Sequence, residues 1–162
     1  MKQLDLREQR MWRQELGDFC SITCFKAAIA GMEDALGQQA AAIALTTAGR
    51  ARGKQLIKDL GWSGQSIDFD VLTDKMRFAL GKEGSRFCLV EKISQAEGII
   101  TVYTSETLCS AGEQPGSSRQ CTFTLGAVWG ALEELMGQRF QAQQTASVLK
   151  GGSFDVFEFT PT

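Results

Sequence analysis

The stretch Cys121-Thr122-Phe123-Thr124-Leu125-Gly126-Ala127-Val128-Trp129-Gly130-Ala131-Leu132-Glu133-Glu134-Leu135-Met136 decides the fold of this chain. Leu125, Val128, Trp129, Leu132, Leu135 and Met136 recur at the three- and four-residue spacings that place side chains on one side of an α-helix, and Gly137 stands where such a helix would end. The spacing predicts a helix over 123–136. Within it Gly126 and Gly130 lie four apart, beside Ala127 and Ala131. A glycine inside a helix costs about 0.5–1 kcal/mol relative to alanine. Something must offset that cost: either another backbone packs close, or a ligand lies along the smooth face. An alanine-rich segment upstream carries the analogous pair Gly49 and Gly53.

Working outward toward the N-terminus, residues 39–60 read as a long helix ended by Gly61. Ahead of it Phe19, Ile22, Phe25, Ala28, Ile29 and Met32 recur at helical spacing, with Asp18 as an expected N-cap and Gly37 as a C-cap. A third helix should start near Asp68, turn Phe69, Leu72, Met76 and Ala79 inward, and stop at Gly81. Residues 1–17, polar with scattered Leu4, Leu6, Met11, Trp12 and Leu16, read as an N-terminal arm or short helix ahead of a single domain over 18–160. Between the third helix and the deciding stretch the period changes. Residues 86–93 and 99–108 are rich in β-branched and aromatic side chains and predict a hairpin, followed by a loop over 110–119. Beyond the deciding helix, 138–149 and 154–159 read as two more strands, with Gly151-Gly152 as a turn signal. The pattern gives an α+β fold: three N-terminal helices plus one further helix packed on a four-stranded antiparallel sheet.

Composition narrows the chemistry. The chain has 162 residues, 43% of them hydrophobic and 22% charged, with a net charge of −2 and no histidine. Without histidine there is no Ser-His-Asp triad, no Cys-His pair, no imidazole base and no histidine metal ligand. The charge balance is no footprint for nucleic acid, and no apolar run approaches the roughly 20 residues that span a bilayer. No Walker loop, GxGxxG or HExxH motif occurs. The basic group Arg50, Arg52, Lys54 and Lys58 and the pair Glu133-Glu134 read as solvated helix faces. Five cysteines, an odd number with no CxxC and no secretory leader, read as reduced thiols of a cytoplasmic protein. Cys20 and Cys24, one helical turn apart, read as small core residues.

The candidate functional residues follow from the helix and the thiols. Phe123, Gly126, Trp129 and Gly130 would form the wall of a narrow apolar pocket, and the bland alternative for the glycines is helix–helix packing. Cys88, Cys109 and Cys121 should gather near one end of the sheet, with Cys109 and Cys121 bracketing the loop at the pocket mouth. A thiol at a helix N-terminus has a lowered pKa and is open to acylation or oxidation; the alternative is inert burial. A three-cysteine metal set would need a fourth ligand, for which Glu106 is the nearest carboxylate in sequence. No metal and no cofactor are expected, and no carboxylate pair is placed for acid–base catalysis.

The second half also resembles a known family. Gly84-Ser85-Arg86-Phe87, Ser105-Glu106-Thr107-Leu108-Cys109, the run Cys121 to Glu133 and the closing double glycine are similar, in that order, to the vinyl-4-reductase or hydrocarbon-binding domain, and Ala48 to Lys54 is similar to its second helix. That family shares its fold with TRAPP vesicle-tethering subunits and is related to haem-based nitric-oxide sensor domains. The resemblance implies helices on one antiparallel sheet, a buried pocket for a small apolar molecule or acyl chain, and often a dimer. It matches the family's pocket-side helix to Phe123–Leu132. Where metal-binding members carry a glutamate and two cysteines on the closing hairpin, this chain has Gln143 or Gln144, Ser147 and Asp155, so a zinc site like theirs is not expected. The sensor relatives need a proximal histidine for haem, which is absent. TRAPP subunits can hold an acyl chain on a cysteine that corresponds to no single one of the five here.

The expected function is therefore a binding module for a small hydrophobic ligand, such as a hydrocarbon, acyl chain or pigment precursor. The alternative is a ligand-free dimerisation or adaptor module using Gly49 and Gly53 as an isologous interface. A role in tetrapyrrole vinyl reduction is the remote third, since the chain shows no recognisable nicotinamide or flavin motif.

Overall fold

The computed structural model describes residues 12–65 and 68–162. Leu4, Leu6 and Met11 of the expected N-terminal arm lie outside the described residues. The described part of that arm is a turn: Asp18 accepts from the backbone N–H groups of Trp12 and Arg13. Asp18 is thus not the cap of the first helix. Ser21 has that role, its hydroxyl accepting from Thr23 N, and α1 runs Ile22–Leu36. Gly37, at φ 79°, ends α1 and starts α2, Gln38–Asp59. The left-handed backbone at that single residue turns the chain between two helices without a loop. Asp68 caps α3, Phe69–Leu80, through Val71 N, as its position predicts.

The strands β1 (Leu89–Ala96) and β2 (Ile99–Ser105) form the predicted hairpin. α4 spans Thr122–Met136, and β3 (Phe140–Ala146) and β4 (Asp155–Pro161) close the chain. All pairings are antiparallel and the strand order is β1-β2-β4-β3. β1 starts later than expected, because Arg86 takes a positive φ of 57° that no strand continues through. The last link is also not a two-residue turn. Val148–Lys150 forms a 3-10 turn, with Gly151 left-handed at φ 84°.

β2 alternates cleanly: Ile100, Val102 and Thr104 are buried, while Ile99, Thr101 and Tyr103 are half-buried. One sheet face therefore carries the core and the other meets solvent. Phe157 and Phe159 of β4 are fully buried, as expected for a central strand. Leu72, Met76 and Ala79 of α3 pack into the same core, with Phe69 half-buried beside them. α4 is buried nearly all round rather than along one stripe. It packs closely on α2 and also meets β3, which makes it the central helix of the molecule.

Candidate functional site

The four helical glycines face one another. A methyl group on Gly49 would meet Ala127 N at 2.9 Å, and one on Gly53 would meet Ala131 N at 2.8 Å. In return, a methyl on Gly126 would meet Arg50 N at 2.9 Å, and one on Gly130 would meet Arg50 C at 2.8 Å. The glycines thus let the backbones of α2 and α4 come into direct contact within one chain, a spacing that favours Cα–H···O contacts. This corrects two sequence expectations. Gly126 and Gly130 line no open pocket, because α2 fills their face. Gly49 and Gly53 offer no surface to a second copy, because α4 covers them.

Trp129 belongs to the same seam. Its ring lies under the Arg50 guanidinium, 4.0 Å from the centroid, and its Nε1–H donates to Glu133 Oε1 at 3.1 Å. Glu133 is not on a solvated face: only 3% of its side chain is exposed. It accepts from Arg50 Nη2 at 2.7 Å, Lys54 Nζ at 2.8 Å and Phe140 N at 3.2 Å. Burial pushes its carboxyl up, but Lys54, Arg50 and the Phe140 N–H together hold it below the ordinary glutamate value. Two of the four clustered cations of α2 are therefore structural partners. This cluster locks α2, α4 and β3 together, and every group in it has a partner.

The remaining candidates converge at the other end of α4. Phe123 is buried between two aromatic edges: Phe25 of α1 at 4.9 Å and 69°, and Phe87 ahead of β1 at 5.4 Å and 89°. Both partners are only half-buried, so the trio reaches the surface beneath α1. Cys88, Cys109 and Cys121 are all buried. Leu108 N donates to Phe87 O at 3.0 Å, which draws the segment carrying Cys109 alongside the one carrying Cys88.

The thiols have opposite characters. Cys121 is the N-cap residue of α4 but makes no side-chain cap bond. The Cys109 sulfur does that work from outside, accepting from the Phe123 and Thr124 backbone N–H groups and from Thr124 Oγ1 at 3.5 Å. Donation from the Cys121 thiol, followed by these bonds, outweighs burial and draws Cys109 down to about 6. The same contact, with burial, pushes Cys121 up. Burial, then the neighbouring Cys109 and Asp155, pushes Cys88 up as well. The thiol preceding the helix is therefore not the activated one; the thiol that caps it from across the loop is. Cys20 and Cys24, expected in the core, are exposed.

Behind the thiols lies a polar network that the sequence did not announce. Asp155, fully buried, accepts from Thr107 Oγ1 at 2.9 Å, Ser110 Oγ at 2.8 Å, Ser147 Oγ at 2.8 Å and Val148 N at 3.2 Å. Thr107 Oγ1 also lies 3.5 Å from Cys121 Sγ. Three hydroxyl residues scattered over forty positions give no local signal; only β4 pairing with β2 brings them to one carboxylate. Among the described residues no group of three or more cysteines and carboxylates is arranged to hold a metal ion. Two surface clefts flank the region. One of about 340 Å³ runs past Arg119, Gln144, Ser147 and Lys150. The other, of about 370 Å³, is lined by Gly81, Lys82, Arg86, Cys88, Leu89 and Glu106.

α1 covers this end lightly. Ile29 is its one buried residue among those described. Lys26 donates to Cys109 O at 3.1 Å and pairs with Glu113 at 2.6 Å, while Arg119 pairs with Glu33 at 2.8 Å and Glu113 at 2.9 Å. Among the described residues no helix is long and apolar enough to cross a membrane.

No family model matches the chain, and neither does any curated protein. Solved structures do match it in fold. The phenol-responsive sensory domain of the transcription activator PoxR, crystallised with phenol, superposes with a TM-score of 0.66 at 13% identity, covering 93% of this chain and 79% of that one. A trafficking protein particle complex subunit 3 from Naegleria fowleri, covalently bound to palmitic acid, gives 0.60 at 15% identity over 87% of this chain and 92% of that one. A vinyl-4-reductase family protein from Methanocaldococcus jannaschii gives 0.48 at 15% identity over 90% of this chain and 83% of that one. At these identities the likeness is one of fold, and it is the α+β fold that the sequence resemblance implies: this chain shares it with the phenol-responsive sensory domain and the palmitate-bearing trafficking subunit.

Proposed function

We propose that the protein is a binding module for a small hydrophobic molecule, taken up beneath α1 against Phe25, Phe87 and Phe123. The observation that carries this reading is the aromatic trio itself. Phe25 and Phe87 each meet Phe123 edge to face at the N-terminal end of the central helix, under a helix anchored by one buried residue. An apolar molecule entering there exchanges ring–ring contact for ring–ligand contact at little cost in burial. That two structures of the same fold carry phenol and palmitate supports the ligand class. The pocket wall proposed here is the Phe123 end of α4, not the Gly126–Gly130 face.

The test is thermal shift and native mass spectrometry with phenol and palmitate as probes. A retained apolar mass, or a concentration-dependent rise in Tm with either probe that Phe123→Ala removes while staying folded, supports the reading. No retained mass and no shift with either probe overturns it.

One observation favours a second reading, that of a homodimer. Trp12 (85% exposed), Leu16, Phe19, Ile22, Leu36 and Ile43 (64% exposed) leave large apolar side chains uncovered on the N-terminal turn, α1 and α2. Exposed apolar surface of this kind marks contact surfaces. Light scattering of the wild type against Phe19→Lys/Ile43→Lys decides it: a dimer that becomes a monomer supports the reading, and an unchanged mass dismisses it.

A further inference from the structure

We propose that α1 is a lid that swings about Gly37 and is held shut by an ionic latch, Lys26–Glu113–Arg119–Glu33. As the gate to Phe25, Phe87 and Phe123 it rests on the hydrophobic-ligand reading; its motion does not.

Three observations carry it. First, little else holds α1. Ile29 is its one buried residue among those described, and among the described residues no backbone hydrogen bond joins α1 to another element. Phe25 meets Phe123 edge to face, and ahead of the helix Arg86 lies over the exposed Phe19 ring at 4.5 Å.

Second, the charges of α1 converge on one loop. Lys26 and Glu33 stand seven positions apart, about two helical turns, and so share a side of the helix. Lys26 pairs with Glu113 at 2.6 Å, Glu113 with Arg119 at 2.9 Å, and Arg119 with Glu33 at 2.8 Å. The four charges alternate in sign and bridge helix to loop at two points. Their side chains are only 18–26% exposed, so salt weakens the attraction without abolishing it. The loop is a firm catch: Ser110 Oγ donates to Asp155 at 2.8 Å and Gly116 N to Leu149 O at 2.7 Å. The closed latch is imperfect, since buried Arg119 Nε faces Glu113 outside hydrogen-bond geometry, and opening returns water to that donor.

Third, the chain has a pivot. Gly37 is the single residue between α1 and α2, at φ 79° and ψ 157°, and no atom stands within 4 Å of where its side chain would be. Rotation there moves α1 as one body and leaves the α2–α4 seam intact.

The experiment places spin labels on the exposed Cys24 of α1 and on an exposed sheet position, Gln141→Cys, in the full ligand-free chain with Cys20→Ser. Pulsed electron resonance then reads the distance between them. The wild type should give one main distance and a longer minor one. Glu113→Gln takes the shared carboxylate from both cations and should raise the longer population about three- to tenfold. About 1 M NaCl should do the same to the wild type and add little to the variant. Glu33→Gln, which breaks one end of the latch, should give a smaller rise in the same direction. A single distance that neither Glu113→Gln nor salt moves overturns the lid, and a distribution too broad for a helix moving as one body overturns the hinge. Where phenol binds, its association rate should rise with the open population; an unchanged rate overturns the lid as the entrance. Failure of both phenol and palmitate to bind overturns the hydrophobic-ligand reading instead, while the two distances still report the lid.

Discussion

The two helices that flank α2 are held by different physics. On one side α4 meets α2 backbone to backbone through four interleaved glycines, with a buried carboxylate tied to two cations, an indole and a backbone N–H. On the other side α1 rests on α2 with one buried residue and several exposed apolar side chains, and its partly solvated ion pairs run to the loop carrying Glu113 and Arg119 rather than to α2. The difference separates scaffold from cover. A contact made of backbone cannot repack, because nothing in it has a rotamer to change. A contact made of long side chains at the surface can open at low cost, which is what a binding face requires.

The sharpest way to break this comparison is to add a side chain to the rigid seam. Gly126→Val should cost about 3 kcal/mol or more in urea unfolding, since its branched side chain would be forced against Arg50 and Thr46 backbone with no space to relax. A loss below about 1 kcal/mol would mean that the two helices can separate. Next comes Glu133→Ala, which leaves Arg50, Lys54, the Trp129 indole and Phe140 N without their acceptor. We expect a loss of about 2–3 kcal/mol, tempered because Arg50 and Lys54 still reach solvent.

The same carboxylate gives a pH dependence. Glu133 binds its proton more weakly folded than unfolded, so its contribution is complete above the ordinary value of 4.5 and is lost as pH falls through and below it. Glu133→Gln should flatten the acid side of the stability–pH curve in that window. An unchanged slope would assign acid lability to other carboxylates.

The loose side should respond weakly to changes of the same kind. Glu33→Ala, which removes the Arg119 partner on α1, should cost about 1 kcal/mol at most, with the effect shrinking in high salt. Gly31→Ala should act in the opposite sense to Gly126→Val. A methyl at Gly31 meets nothing within 4 Å, so the alanine should raise stability by about 0.5–1 kcal/mol. A loss there would show that α1 is more tightly covered than its exposure indicates.

Much of the fold was legible because it is written in local pattern. The α3 cap at Asp68, the β1–β2 hairpin, the α4 span and its Gly137 terminus follow from spacing and from residues with one conformational role. The glycine pairs were visible too, but their meaning was not. A smooth helix face reads the same whether a ligand or a second helix lies on it, and only the placement of α2 against α4 separates the two. Phe123, Cys109 and Cys121 were legible as a group because their order along the chain puts them at the end of one helix. Their companion Phe25 read as one apolar position of the first helix, Phe87 entered only within the family-like stretch 84–87, and Asp155 only as a position where metal-binding relatives carry a ligand. The N-cap of α1 was misread because Asp18 and Ser21 are both good caps, and helix start is decided by which of them the chain geometry lets reach its own first turn.

By itself the sequence determined the α+β order of elements and, through the absence of histidine, that no imidazole group comes from this chain's own residues. Those conclusions need only periodicity and residue type. The tertiary structure decided which glycine faces which backbone, which thiol caps α4, and that Glu133 is a buried lock rather than a surface charge. Each of these depends on contacts between residues dozens of positions apart. The energy of such a contact is set by distance and burial in the folded chain, and neither quantity is written in local spacing.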